Sequence, residues 1–169
     1  LTTLPFPRRF RWAARLGLFA RSFAKVLPRG LRSMLELLPE KLPATANLPE
    51  LCSPQGTPRA RVALLVGCAQ QVIDPGINLD TIAVLVRNGV EVVVPRNQAC
   101  CGALGWHIGA GNHARKLARE NLKAFPEDID AIVTNAAGCG SGLREYPLMM
   151  KSLPEEGLAK CFAAKVVDL

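Results

Sequence analysis

Arg61-Val62-Ala63-Leu64-Leu65-Val66-Gly67-Cys68 is the stretch from which the fold is read. Its short, nearly continuous apolar run predicts a strand buried on both faces. Downstream, the pattern alternates. Residues from about Asn78 to Asn88 predict a helix ended by Gly89, and Val90-Glu91-Val92-Val93-Val94 a β-branched strand stopped by Pro95. A helix is expected from about Asn112 to Phe125, with Ala114, Leu117, Ala118 and Leu122 on one side. Asp130-Ala131-Ile132-Val133-Thr134 reads as a third strand, and a last helix runs from about Gly142 to Lys151 despite Pro147. Strands separated by helices of ordinary length are parallel, joined by right-handed crossovers. The expectation is an α/β fold: a small parallel sheet with flanking helices in βαβαβα order. Lys165-Val166-Val167 is a candidate fourth strand.

Working upstream, residues 41–59 carry Pro43, Pro49, Pro54 and Pro58 among small polar residues, which is linker chemistry. Residues 1–40 predict two helices broken at Pro28-Arg29-Gly30, the second from Leu31 to Leu38. The division is therefore a basic helical extension and linker over 1–59 and a cysteine-rich unit over 60–169. From Trp12 to Leu27, apolar Leu16, Phe19, Ala20, Phe23 and Leu27 recur at three- and four-residue spacing, with Arg15, Arg21 and Lys25 between them. That is an amphipathic helix suited to packing on another domain or lying on a membrane surface. No run of about 18 uninterrupted apolar residues exists, so no bilayer span is encoded.

Charge follows the same division. The net charge is +7, and residues 1–50 contribute nine Lys or Arg against three Glu. The remainder is nearly balanced, so the basic stripe belongs to the extension and points to a partner surface or an anionic membrane face. Aromatic residues at 5% argue against a nucleic-acid reader built on stacking platforms. The chain starts at Leu1 without a signal-peptide layout and ends at Leu169 in an apolar run, so it is read as a piece of a longer protein.

The cysteines give the sheet its chemistry. Cys68 lies two residues past the first strand, Cys100 and Cys101 in the loop after the second, and Cys139 in the loop after the third. In a parallel sheet these loops share the carboxyl edge, where open α/β sheets place ligands. Four sulfurs distant in sequence should therefore converge. Thiolates take soft or borderline metals, iron–sulfur clusters or Zn²⁺, and neighbouring Gly67, Gly102, Gly138 and Gly140 let backbone N–H groups approach. The competing readings are small buried residues or a redox disulfide between two of the loops. Cys52 and Cys161 lie outside these loops. His107 and His113 are read as polar or capping residues, with His107 five residues past Gly102 the better placed to supply a ligand or a proton. No catalytic residue and no dinucleotide fingerprint is recognised. Glu127, Asp128 and Asp130 read as a solvated acidic turn.

The spaced pieces Val62-Ala63-Leu64-Leu65-Val66-Gly67-Cys68-Ala69-Gln70-Gln71, Cys100-Cys101-Gly102-Ala103 and Ala137-Gly138-Cys139-Gly140 with Glu145-Tyr146 resemble the cysteine-rich CCG domain of heterodisulfide reductase-like proteins. The closer resemblance is to the first CCG domain of glycolate oxidase (glycolate dehydrogenase) iron–sulfur subunits. It implies an iron–sulfur electron-transfer subunit, here a fragment. Such a subunit would pass electrons from flavin-containing subunits that oxidise a 2-hydroxy acid toward a quinone-type acceptor. It further implies flavin on the partner subunits only and a cytoplasmic location, open to peripheral association with the inner face of the membrane. No nucleic acid is expected. The fuller pattern ends in CxxC, whereas this chain reads Cys139-Gly140-Ser141-Gly142. The expected cofactor ligands are thus Cys68, Cys100, Cys101 and Cys139, for a cluster of 4Fe–4S type or Zn²⁺. Adjacent cysteines strain tetrahedral ligation of one small ion, which favours a cluster. The alternative function is a cofactor-free or Zn-bound docking domain of the same kind of complex, or a thiol–disulfide redox domain.

Overall fold

The structure is a computed structural model describing residues 2–169; Leu1, the first residue of the expected extension, lies outside them. In chain order the elements are α1 (Pro7–Arg21), α2 (Arg29–Glu36), β1 (Leu51–Cys52), β2 (Ala60–Leu65), α3 (Gln70–Ile73), α4 (Gly76–Arg87) and β3 (Val90–Val93). They continue with α5 (Ala103–His107), α6 (Gly111–Ala124), β4 (Ala131–Thr134), α7 (Ala137–Arg144), α8 (Tyr146–Met149), α9 (Glu156–Ala164) and β5 (Val166–Asp168).

Among the described residues the sheet has five strands in the order β1-β3-β2-β4-β5. β3, β2, β4 and β5 are parallel. The expected α/β class and the fourth strand near residue 166 are both present. β1 is antiparallel, with Leu51 opposite Val93 and Cys52 opposite Val92. The proline-rich stretch read as linker thus supplies an edge strand. Alternation along β2 divides the core. Val62 and Leu64 meet Ile82, Val90 and Val92 on the α4 side. Ala63 and Leu65 meet Ala114, Ala118, Leu143 and Tyr146 on the α6–α9 side. Two apolar faces, each covered by helices, are what a parallel sheet requires.

The chain leaves β2 for β3 on one flank and returns past it to β4 on the other. This reversal opens a crevice at the carboxyl ends of β2 and β4. Gln98 fixes that edge from below. Its amide nitrogen donates to the carbonyls of Leu64 (3.1 Å) and Pro95 (2.9 Å), and its oxygen accepts from the Val66 N–H (2.8 Å). Buried Asn78 donates to the Val66 carbonyl (3.0 Å), and Asn135 donates to Asn78 and Thr81.

One expectation is corrected. The helix placed at Gly142–Lys151 starts five residues earlier, at Ala137, and is interrupted at Glu145, so that Pro147 falls in the first turn of α8. Proline is tolerated there because that N–H needs no intrahelical partner. Cys139 therefore sits in the first turn of α7 and not in a loop. Glu127, Asp128 and Asp130 are exposed as expected, and two of them also bind Arg61. Asp130 accepts the Arg61 N–H at 2.7 Å, and Asp128 pairs with the Arg61 guanidinium at 2.8 Å, which fixes the start of β2.

The N-terminal layer is held by arginines. Arg21 donates to the Leu35 carbonyl at 2.8 Å, and also to Leu38 and Pro39, satisfying carbonyls freed at the end of α2. Arg11 reaches the Pro43 carbonyl at 2.8 Å. Ala14 and Leu35 are the buried residues of α1 and α2. Trp12, Leu16, Phe19 and Phe23 form an exposed stripe, with Phe19 70% exposed. No described helix is long and apolar enough to cross a membrane.

Candidate metal centre

All four expected sulfurs gather at the carboxyl edge. Cys68 follows β2, Cys100 and Cys101 precede α5, and Cys139 lies in the first turn of α7. The sulfurs of Cys68 and Cys100 are 3.5 Å apart. Cys101 hydrogen-bonds to both Cys100 and Cys139, so the thiols form a continuous row 68–100–101–139. Cys101 is buried and the other three are half-buried. None of the six cysteines is in a disulfide.

Glycine makes the row possible. Gly102 turns the chain at φ +81°, and a Cβ there would lie 3.2 Å from the Ala114 carbonyl oxygen. Gly67 also turns the chain, before Cys68, at φ +69°. A side chain at either position would be strained in this left-handed region.

The electrostatics alternate along the row. Hydrogen bonds from the Cys101 and Cys68 thiols pull Cys100 down to about 3, helped by the Gly102 backbone and the charge of His113. A hydrogen bond from Cys101 also lowers Cys139. Cys68 is raised chiefly by its hydrogen bond to Cys100, and Cys101 by its bonds to Cys100 and Cys139, with burial adding to both. Groups pushed toward the thiolate thus alternate with groups pushed toward the thiol, and thiolate character is what soft metals favour.

A cavity of about 360 Å³ opens over the row, lined by all four cysteines, His107 and His113. Leu4 and Pro5, from the N-terminal extension, close part of its wall. Among the described residues, no three His, Cys, Asp or Glu side chains stand ready to hold a single ion. A row of soft donors beside a cavity suits a multi-iron group better than one tetrahedral ion.

The remaining candidates separate. His107 Nε2 lies 2.9 Å from a Glu145 carboxylate oxygen at the cavity mouth. His113 caps nothing with its ring: its buried Nε2 has no hydrogen-bond partner among the described residues, and the ring faces Phe6 edge-on. Cys52 lies in β1, and Cys161 is exposed on α9. Neither joins the row. Two participants escaped the sequence reading. Buried Asn121 bonds to the backbone of Ala99 and Cys100. Gln98 holds the ends of β2 and β3. Asn121 had a readable signal: it is a polar residue on the apolar face of Ala114, Leu117, Ala118 and Leu122.

Known proteins similar to the chain include cysteine-rich and iron-sulfur proteins. A profile of the CCG family, a cysteine-rich domain, matches residues 62–144. The chain is 36% identical to the probable glycolate oxidase iron-sulfur subunit of Bacillus subtilis, over 97% of this chain and 40% of that protein. It is 35% identical to the glycolate oxidase iron-sulfur subunit of Escherichia coli, over 88% of this chain and 35% of that one. It is 34% identical to lactate utilization protein A of Shouchella clausii, over 64% and 45%. The chain spans less than half the length of these curated relatives. No solved structure matches it.

Proposed function

This chain belongs to the family of cysteine-rich CCG domains, and from that premise we propose that it serves as the iron–sulfur electron-transfer part of an oxidase complex acting on a 2-hydroxy acid such as glycolate. The observation carrying the proposal is the row of Cys68, Cys100, Cys101 and Cys139 at the sheet's carboxyl edge beside the cavity. A cluster bound there, of 4Fe–4S type in this proposal, would supply one-electron transfer. The chain's own part is to present soft donors, with Cys100 and Cys139 pushed toward the thiolate, and to screen them. Leu4 and Pro5 cover one side of the cavity and Leu104 another. Apolar walls of this kind keep water from the sulfurs and so set the potential at which electrons are held.

Oxidation of the hydroxy acid itself belongs, in this reading, to flavin-bearing partner subunits, with a quinone-type acceptor downstream. The names of the Bacillus subtilis and Escherichia coli relatives support the substrate class. The lactate utilization relative supports a 2-hydroxy acid more broadly. The exposed apolar stripe of α1 between Arg8, Arg9 and Arg15 supports a docking role for the N-terminal layer against a partner subunit. A cytoplasmic site, at the inner face of the membrane, completes the proposal.

The test is anaerobic purification of the full-length protein with iron and sulfide analysis. A brown protein with broad visible absorption is expected, losing its iron when any of the four cysteines becomes Ser and keeping it in Cys52→Ser and Cys161→Ser. Colourless, iron-free protein whose partner binding survives Cys100→Ser would point to a docking domain instead. One observation favours a second reading: Cys68 and Cys100 are close enough to be oxidised as a pair. That reading predicts a reversible two-electron couple that needs no iron.

A further inference from the structure

Tyr146 and Asn121 are buried to 0% exposure, and neither carries a sulfur nor lines the cavity. Yet both spend their polar atoms on three consecutive residues of one loop. Asn121 Oδ1 accepts the Ala99 N–H at 2.7 Å. Its Nδ2 donates to the Cys100 carbonyl at 3.2 Å and to the Tyr146 hydroxyl at 2.8 Å. The Tyr146 hydroxyl donates to the Cys101 carbonyl at 3.1 Å. Two side chains from different helices, α6 and α8, thus meet each other behind the loop and grip residues 99, 100 and 101 in order.

We propose that Asn121 and Tyr146 are positioning residues that fix the adjacent Cys100 and Cys101 with their sulfurs facing different neighbours, Cys68 for one and Cys139 for the other. The neighbouring cysteines have only the short loop between Pro95 and α5 to hold them, and a flexible loop would let both thiols turn to the same side. With the carbonyls of Cys100 and Cys101 both tied inward, the backbone between them cannot rotate without leaving a buried donor or acceptor unpaired. Tyr146 is in turn held by stacking on Phe162, with ring centroids 5.4 Å apart and planes at 20°. Its hydroxyl oxygen accepts from Asn121 while its proton is donated to the Cys101 carbonyl, so the polar atom is fully used. The grip therefore reads as a hydrogen-bond device, separable from the packing of the ring.

This inference rests on the proposed cluster only for its functional meaning; the positioning can be read without metal. The experiment uses Tyr146→Phe, Asn121→Ser and, as a packing control, Phe162→Leu, each in the full-length protein. In metal-free protein, iodoacetamide labelling read by mass spectrometry compares Cys100 with Cys101. The unaltered protein should label Cys100 about tenfold faster, and Tyr146→Phe or Asn121→Ser should remove most of that ratio, the size of one lost buried hydrogen bond. Phe162→Leu should lower the melting temperature while leaving the ratio in place. In iron-loaded protein the first two variants should release iron to a chelator about tenfold faster and change the electron paramagnetic resonance signature. A folded Tyr146→Phe with the labelling ratio and iron release of the unaltered protein overturns the proposal, and so does Phe162→Leu abolishing the ratio equally. If Tyr146→Phe does not fold, Asn121→Ser decides by the same two measurements. If the unaltered protein takes up no iron, the proposed function fails, while labelling still decides the positioning.

Discussion

The carboxyl edge of the sheet and the face of α1 treat their side chains in opposite ways. At the edge, Asn121 and Tyr146 are entirely buried and each of their polar atoms has a partner in the protein. On α1, Trp12, Leu16 and Phe19 are each well over half exposed, and the Arg15 guanidinium lies over the Trp12 ring. Polar groups are inside and large apolar groups outside, which reverses ordinary partition in both places. Inside, the reversal is made good by hydrogen bonds that hold a loop in one conformation. Outside, no partner group in the described residues covers the apolar surface, and contiguous patches of this sort mark interaction sites. One region is finished within this chain; the other is built for something else.

The contrast can be broken or sharpened by mutation. The largest effect should fall on the cysteine row proposed to hold the cluster. Cys100→Ser should leave less than about a tenth of the iron bound by the full-length protein, measured by metal analysis after anaerobic desalting, since second-best ligation typically costs tenfold or more. Next comes the core beneath it. Leu64→Ala removes a fully buried side chain of β2 and should cost about 2–5 kcal/mol in urea unfolding. Smaller again is Gln98→Ala, which leaves the Val66 N–H and two strand-end carbonyls without their partner. It should cost about 1–3 kcal/mol by the same measurement. Smallest is Phe19→Ser on the exposed stripe. It should move stability by no more than about 0.5 kcal/mol, and it should weaken capture of partner subunits in a pull-down with the flavin proteins. A large stability loss from Phe19→Ser would show that the stripe is covered within the folded chain and would erase the contrast.

The two regions were also unequally legible. The apolar run of β2, the β-branched run of β3 and the punctuation by Gly89 and Pro95 are local signals, and the elements formed where those signals stand. From the strand order followed the convergence of Cys68, Cys100, Cys101 and Cys139. β1 could not be read that way. It is two residues long in a proline-rich stretch, and its strand character comes from pairing with Val92 and Val93, residues forty positions later. α7 was hidden by Gly138, Gly140 and Gly142, poor helix formers that tertiary packing overrides. The stripe on α1 was read as a packing face. Its periodicity was correct, but whether such a face meets its own domain or another surface is not encoded in spacing. His113 reads as a capping residue because it stands near a helix start. Only the fold shows it lining the cavity beside the sulfurs, with its ring edge-on to Phe6.

That the four thiols arrive on three separate crossovers has a bearing on biogenesis. During synthesis, a nascent chain released as far as Phe125 already carries three of the sulfurs but lacks β4, the strand against which the last must be set. The short peptide Cys100-Cys101 brings two of the sulfurs together, but the other two come from separate loops. In the proposed function, iron delivery would follow completion of the sheet, and the cluster would bind the finished fold and not the unfolded chain. Loading would then act as a thermodynamic latch on maturation.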